Sequence, residues 1–283
     1  MPVRPFHFFA TGAVLAAVGC LLPAMSTKAA DVSEWDRQQH SAVRLISGQP
    51  ERGREGTIWR AGVEIRLEEG WKTYWRYPGD SGIPPRFNFS GSTNVRDIRV
   101  LWPAPMRFSD GAGISIGYAD RVILPLRIRP RDPGSPVTVR LKLDYAVCEK
   151  LCVPVDASVA LALSETKSPH EDLLRASEAR VPRKALIGDD GPLAITAVRR
   201  QSGEKSRILV DVRTPEIADL FAEGPNERWS LPLPQAISGP EGGIMRFAFA
   251  LDGMPPDAKT AGAQVTLTAV SSSDAVEVAF YLD

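Results

Sequence analysis

Cysteine is scarce in this chain: 283 residues contain three, at positions 20, 148 and 152. That excludes the small disulfide-dense scaffold, which depends on several bridges because it cannot bury an adequate core. Histidine is equally rare, and His40 and His170 lie far in sequence from the paired cysteines, so spacing gives no support to a histidine-ligated metal. Excess charge of either sign is missing. Lys plus Arg and Asp plus Glu number 34 each, leaving no electrostatic footprint for nucleic acid or an anionic membrane surface. Beyond the first thirty residues no apolar run approaches the roughly 20 residues that span a bilayer. What remains, 43% hydrophobic and 24% charged, is the composition of a soluble globular protein with room for two domains.

Residues 1–30 have the layout of a secretory signal: Arg4 near the start, an apolar run from Phe8 to Met25, and small residues before cleavage after Ala29 or Ala30. Thr11, Gly12, Gly19 and Pro23 interrupt the run and count against a membrane anchor. Ala17, Val18, Gly19 and Cys20 also offer a lipoprotein processing site, so Cys20 either leaves with the signal or carries lipid. On both readings the chain is exported to a compartment where disulfides persist, with Cys148 and Cys152 as its two thiols.

From Ser41 to Leu163 short runs rich in Val, Ile, Trp and Tyr alternate with turn signals such as YPGDSGIPP, FSDGAG and RPRDPGSP. Strands are predicted at 41–47, 57–68, 71–77, 95–102, 121–129, 137–148 and 152–163, the number and spacing of a β-sandwich. SPHEDLLRASEAR then predicts a short helix, with Ser168 as N-cap, Pro169 in the first position and Glu171 closing a capping box. Strands return in LAITAVRR, RILVDVRT, IMRFAFAL, QVTLTAVSS and AVEVAFYLD. The expected fold class is all-β: a sandwich over 31–164, a helical linker over 165–190, and a second sandwich over 191–283 serving as scaffold or docking surface.

VTVRLKLDYAVC-EKL-CVPVDASVALAL reads as a β-hairpin with a three-residue loop. If Cys148 faces Cys152, then Val147 meets Val153, Tyr145 meets Val155, Leu143 meets Ala157 and Leu141 meets Val159, so every odd pair is apolar. Both sulfurs then stand off the core face, on Cα atoms about 4.5 to 5.5 Å apart, within disulfide range. As a brace such a pair is weak: closing a loop of about five residues constrains the unfolded chain by ~2 kcal/mol, against ~4.7 for about 100 residues. Thiol-disulfide chemistry, a structural disulfide and Cu(I) held by two thiolates all remain open. The register also sets Asp144 opposite Asp156 on the thiol side, a like-charge pair that is either separated by a bulge or strand splay or forms a local negative field that raises the thiol pKa. With Tyr145, these are the candidate tuning residues.

YAVCEKLCVPV, with GWKTYWRYPGDSGIPP upstream and GISIGYADRVILPL between, resembles the amino-terminal periplasmic domain of the bacterial thiol:disulfide interchange reductase DsbD, and more closely that of its relative ScsB, associated with suppression of copper sensitivity. The resemblance spans about residues 40–164 and extends more weakly through the second domain. It implies immunoglobulin-like sandwiches, a periplasmic location and electron relay by thiol-disulfide exchange without a cofactor. It further implies that Cys152 forms the mixed disulfide and Cys148 resolves it. A hydrophobic cap loop would fall near GAGISIGYAD, with Ile114, Ile116 and Tyr118 as candidate shields. DsbD spaces its cysteines more widely, and this chain has neither a transmembrane electron carrier nor a thioredoxin-like domain. The implied partners are a separate membrane electron-transfer protein of the DsbD, ScsB or CcdA type and thioredoxin-like periplasmic proteins.

Overall fold

Strands form where apolar and polar residues alternate, and they stop at the glycine and proline clusters. The computed structural model describes Met1 and residues 30–54, 56–80, 82–110, 113–166, 168–201 and 206–283. The signal segment, with its cleavage and lipidation readings at Cys20, lies essentially outside the described residues. In chain order the first domain contains β1 (Asp36–Gln38), β2 (Ser41–Ser47), β3 (Glu51–Gly53), β4 (Gly56–Leu67), β5 (Lys72–Gly79) and β6 (Arg86–Asn88). It continues with β7 (Val95–Val100), β8 (Met106–Asp110), β9 (Gly113–Ala119), β10 (Arg121–Pro130), β11 (Thr138–Cys148) and β12 (Cys152–Ala162). These make two facing antiparallel sheets, ordered β1-β2-β4-β10-β7 and β12-β11-β5-β9-β8. Val63, Ile65, Trp75, Leu124, Leu126, Leu141 and Leu143 fill the space between them.

The helix, α1 (Glu171–Ala179), starts later than its sequence predicts. His170 occupies the cap without a side-chain bond, while the Ser168 hydroxyl accepts from the His170 amide at 3.1 Å in a turn just before the helix. Glu171 is diverted from the capping box: its carboxylate bonds Arg60 and accepts from the Gln49 amide at 3.0 Å. A buried guanidinium outcompetes a local cap because charge-assisted bonds are roughly twice as strong as neutral ones. Leu174 packs on Ile46 and Ile123, and a Cβ on Gly62 would stand 2.7 Å from its Cδ2, so glycine lets the helix lie against the sheet.

The second domain contains β13 (Arg183–Ala185), β14 (Ala194–Gln201), β15 (Arg207–Arg213), β16 (Asp219–Glu223), β17 (Gln235–Ser238), β18 (Ile244–Ala250), β19 (Gln264–Val270) and β20 (Ala275–Tyr281). Its sheets run β13-β20-β19-β16 and β14-β15-β18-β17, so the molecule is all-β, with immunoglobulin-like sandwiches and one short helix. β13, expected in the linker, pairs parallel to β20. The domains share an interface: Phe221 and Leu233 join the first domain's core, and the Phe221 ring lies 5.7 Å from Trp75. Arg76 donates to Glu223 at 2.7 and 2.9 Å and to Glu277 at 2.7 Å, and the Tyr77 hydroxyl donates to the Leu231 carbonyl at 2.6 Å. No helix among the described residues is long and apolar enough to cross a membrane.

Candidate functional site

The β11–β12 hairpin has the register its parity demands, running from Thr138 opposite Ala162 to Cys148 opposite Cys152. Leu141, Leu143, Tyr145 and Val147 are buried inward, while Lys142 and Asp144 face solvent. At the hairpin's end this alternation breaks, because Ala146 and Cys148 on the outer face are also covered. The cysteines are free thiols and unequal: Cys148 is 5% exposed, whereas Cys152 is open to solvent.

Their cover comes from β5. Val147 pairs with Thr73 and Cys148 with Lys72, and on the far edge of β5 Lys72 pairs with Ala119, Thr73 with Tyr118 and Tyr74 with Gly117. Residues paired across strands share a face. Cys152, Cys148, Lys72 and Ala119 therefore form one row on the outer side, with Tyr74 beside it. Tyr74, 2% exposed, clusters with Ala146 and Cys148, and its hydroxyl lies 2.9 Å from the Cys152 sulfur. Burial, then the neighbouring sulfurs, push this phenol well above its ordinary range and keep it protonated, able to donate to a thiolate. Gly82 closes the arrangement: a Cβ there would stand 2.3 Å from Pro78 Cβ and 2.6 Å from Tyr74 Cδ1, so the backbone at position 82 can lie on the ring only as glycine.

Burial also pushes the Cys148 thiol up, as does Cys152, while the Tyr74 hydroxyl and the Lys72 charge pull it down. The paired aspartates do not account for this rise. Asp144 does face Asp156, but four residues back from the thiols, about 13 Å along a strand. Both are exposed, where the Debye length is about 8 Å, and Arg86 stands on the other side of Asp144. Tyr145 faces the interior, its hydroxyl 2.7 Å from the Ser41 hydroxyl, and does not reach the thiols.

The candidate shields fare likewise. Ile116 is fully buried in the sandwich core, and Tyr118 shares the inward row of Thr73 and Val147 and donates to the Pro103 carbonyl at 2.8 Å. Both thus face away from the sulfurs, because side-chain parity along β9 sends these two positions inward. Ile114 is half-buried against the same core. Gly111 and Ala112, at the tip of the expected cap, lie outside the described residues. On the outer face of β8 stands Phe108, with the Lys72 ammonium 5.5 Å from its ring centroid. In the loop between the two cysteines Leu151 is 79% exposed, beside the exposed Glu149 and Lys150. Among the described residues no group of three or more His, Cys, Asp or Glu is placed to hold a metal ion.

Fold and site together define an immunoglobulin-like domain that presents a dithiol at the end of a hairpin. Residues 49–164, somewhat under half of the chain, match the family described as thiol:disulfide interchange protein DsbD, N-terminal. This segment is a DsbD-like amino-terminal domain. The two-domain fold matches the crystal structure of the N-terminal periplasmic domain of ScsB from Proteus mirabilis. The TM-score is 0.69 at 20% identity, over 89% of this chain and 98% of that one. No curated protein sequence matches the chain.

Proposed function

We propose that this chain is a periplasmic thiol-disulfide exchange protein, an oxidoreductase that relays electrons from a separate membrane or thioredoxin-like donor to oxidised exported proteins. The observation that carries this reading is the asymmetry of the pair: an exposed Cys152 directly opposite a covered Cys148. A brace needs no such difference, and a loop this short braces little. Exchange needs one sulfur that a partner can reach and a second held back to displace it.

In the reducing direction the Cys152 thiolate attacks one sulfur of a partner disulfide, and the partner's other sulfur leaves as a thiolate. Cys148, deprotonated, then attacks Cys152, and the partner's remaining sulfur departs. Two electrons pass to the partner, and the chain ends with a Cys148–Cys152 bond. The exposed Leu151, in the loop between the cysteines, is suited to transient contact with another protein.

Trapping tests the assignment. Cys148→Ala, mixed with an oxidised thioredoxin-like protein, is expected to accumulate a mixed disulfide through Cys152, visible on non-reducing electrophoresis, while Cys152→Ala accumulates none. Equal trapping by both variants would remove the assigned roles. Unchanged turnover of a protein disulfide by the double variant would remove the proposed activity.

A further inference from the structure

The exchange just proposed leaves one difficulty unsolved. During resolution Cys152 is tied up in the mixed disulfide, and the covered sulfur of Cys148 must carry negative charge where little water reaches it. A buried thiolate is unfavourable without a compensating group. β5 supplies a cation at that position. Lys72 is the direct cross-strand partner of Cys148, on the same outer face, and is itself only 6% exposed. Its stem is covered, and the Phe108 ring lies 5.5 Å from its ammonium, confining the charge to this face of the sheet.

The other charged and titratable groups around Cys148 do not duplicate it. Tyr74, also on β5, has its hydroxyl 2.9 Å from Cys152 and also pulls the Cys148 thiol down, but as a neutral donor that brings no charge. Glu149 and Lys150 sit on the exposed hairpin tip. Asp80, in the loop beyond β5, lies 3.4 Å from the Ile114 amide. Asp144 and Arg86 pair four residues further along the face.

We propose that Lys72 is a positioning residue for resolution, its ammonium stabilising the Cys148 thiolate that displaces the partner. The inference rests on the exchange reading above, and its test reads the sulfur directly. In a full-length Cys152→Ala background, Cys148 is titrated by its ultraviolet thiolate absorbance, which does not depend on reagent access. Lys72→Met, of similar length but uncharged, is expected to raise the midpoint by about one pH unit, the low end of what a neighbouring opposite charge exerts. Lys72→Arg is expected to restore it. Lys72→Gln repeats the measurement should the methionine variant melt early. An unchanged midpoint in a folded, uncharged variant overturns the proposal, and so does a shift that arginine fails to reverse. Reduction of glutathione disulfide by the otherwise unaltered chain is measured in parallel. Its absence would sink the exchange reading while leaving the midpoint comparison valid.

Discussion

The hydroxyl of Tyr74 lies 2.9 Å from the sulfur at the reactive end of the pair, and its contribution can be isolated because the ring does a separate job. The ring covers Ala146 and Cys148 and carries the Gly82 loop, whereas the hydroxyl alone meets the Cys152 sulfur. Tyr74→Phe should therefore preserve the fold and remove one hydrogen bond, worth about 1 kcal/mol. Exchange through Cys152 is expected to slow by roughly fivefold, since each 1.36 kcal/mol is tenfold in rate. Stopped-flow reaction with an oxidised model disulfide checks this, together with a melting curve to confirm that packing is intact. A variant that reacts at the unaltered rate would leave Tyr74 with a packing role only. TYWRYP shows no sign of this role in the sequence, where the segment reads as one more apolar strand. Its partner strand, β11, lies about seventy residues on, and that adjacency is not written in local periodicity.

At the level of elements, legibility tracks burial. The β11–β12 register was readable to the residue because one face is apolar at every pair, and a slip by one would expose the whole core set. The same parity argument says which face the cysteines take but not that a neighbouring strand covers one of them. For that reason the pair reads as equally accessible in sequence and unequal in structure. β8 and β9 were missed because FSDGAG and its glycines read as a loop, although β9 pairs along the far edge of β5. The polar faces conceal a second feature, the carboxylate of Glu64 on β4. It is fully buried, bonded to Arg44 at 2.7 Å and Arg66 at 3.0 Å, with Arg121 at 2.8 Å. Burial pushes this carboxyl up, but the three guanidinium groups together outweigh it and hold it below the ordinary value of 4.5. A depressed native value means that the stabilisation is complete above the unfolded-state value and lost as pH falls through the folded one. Stability of the first domain should thus decline below about pH 4.5, and Glu64→Gln should flatten that acid limb. Urea midpoints recorded from pH 3 to 7 check this, and an acid limb unchanged in the variant would exclude Glu64 as its source.

Across the whole molecule the question is whether the second domain is an appendage or part of one cooperative unit, and the interface chemistry favours the unit. Inter-domain contacts that are polar and small permit independent motion, whereas a shared apolar core does not. Phe221 and Trp75 are both fully buried, one from each domain, and Phe221 counts among the residues of the first domain's core. Arg76 fixes the surrounding charge by joining Glu223 to Glu277, which also bonds Lys184 on β13. Trp75, Arg76 and Tyr77 follow Tyr74 directly on β5, so the strand that covers the thiols is also the strand that grips the second domain. Calorimetry should accordingly show one transition for both domains. Phe221→Ala should cost about 3 to 5 kcal/mol, as expected for a fully buried ring whose cavity cannot refill across a domain boundary. It should also split the transition, because the lost contact is the one that couples the two cores. If instead the unaltered chain melts in two steps and Phe221→Ala moves only the second-domain step, the domains are thermodynamically separate and β5 transmits nothing between them.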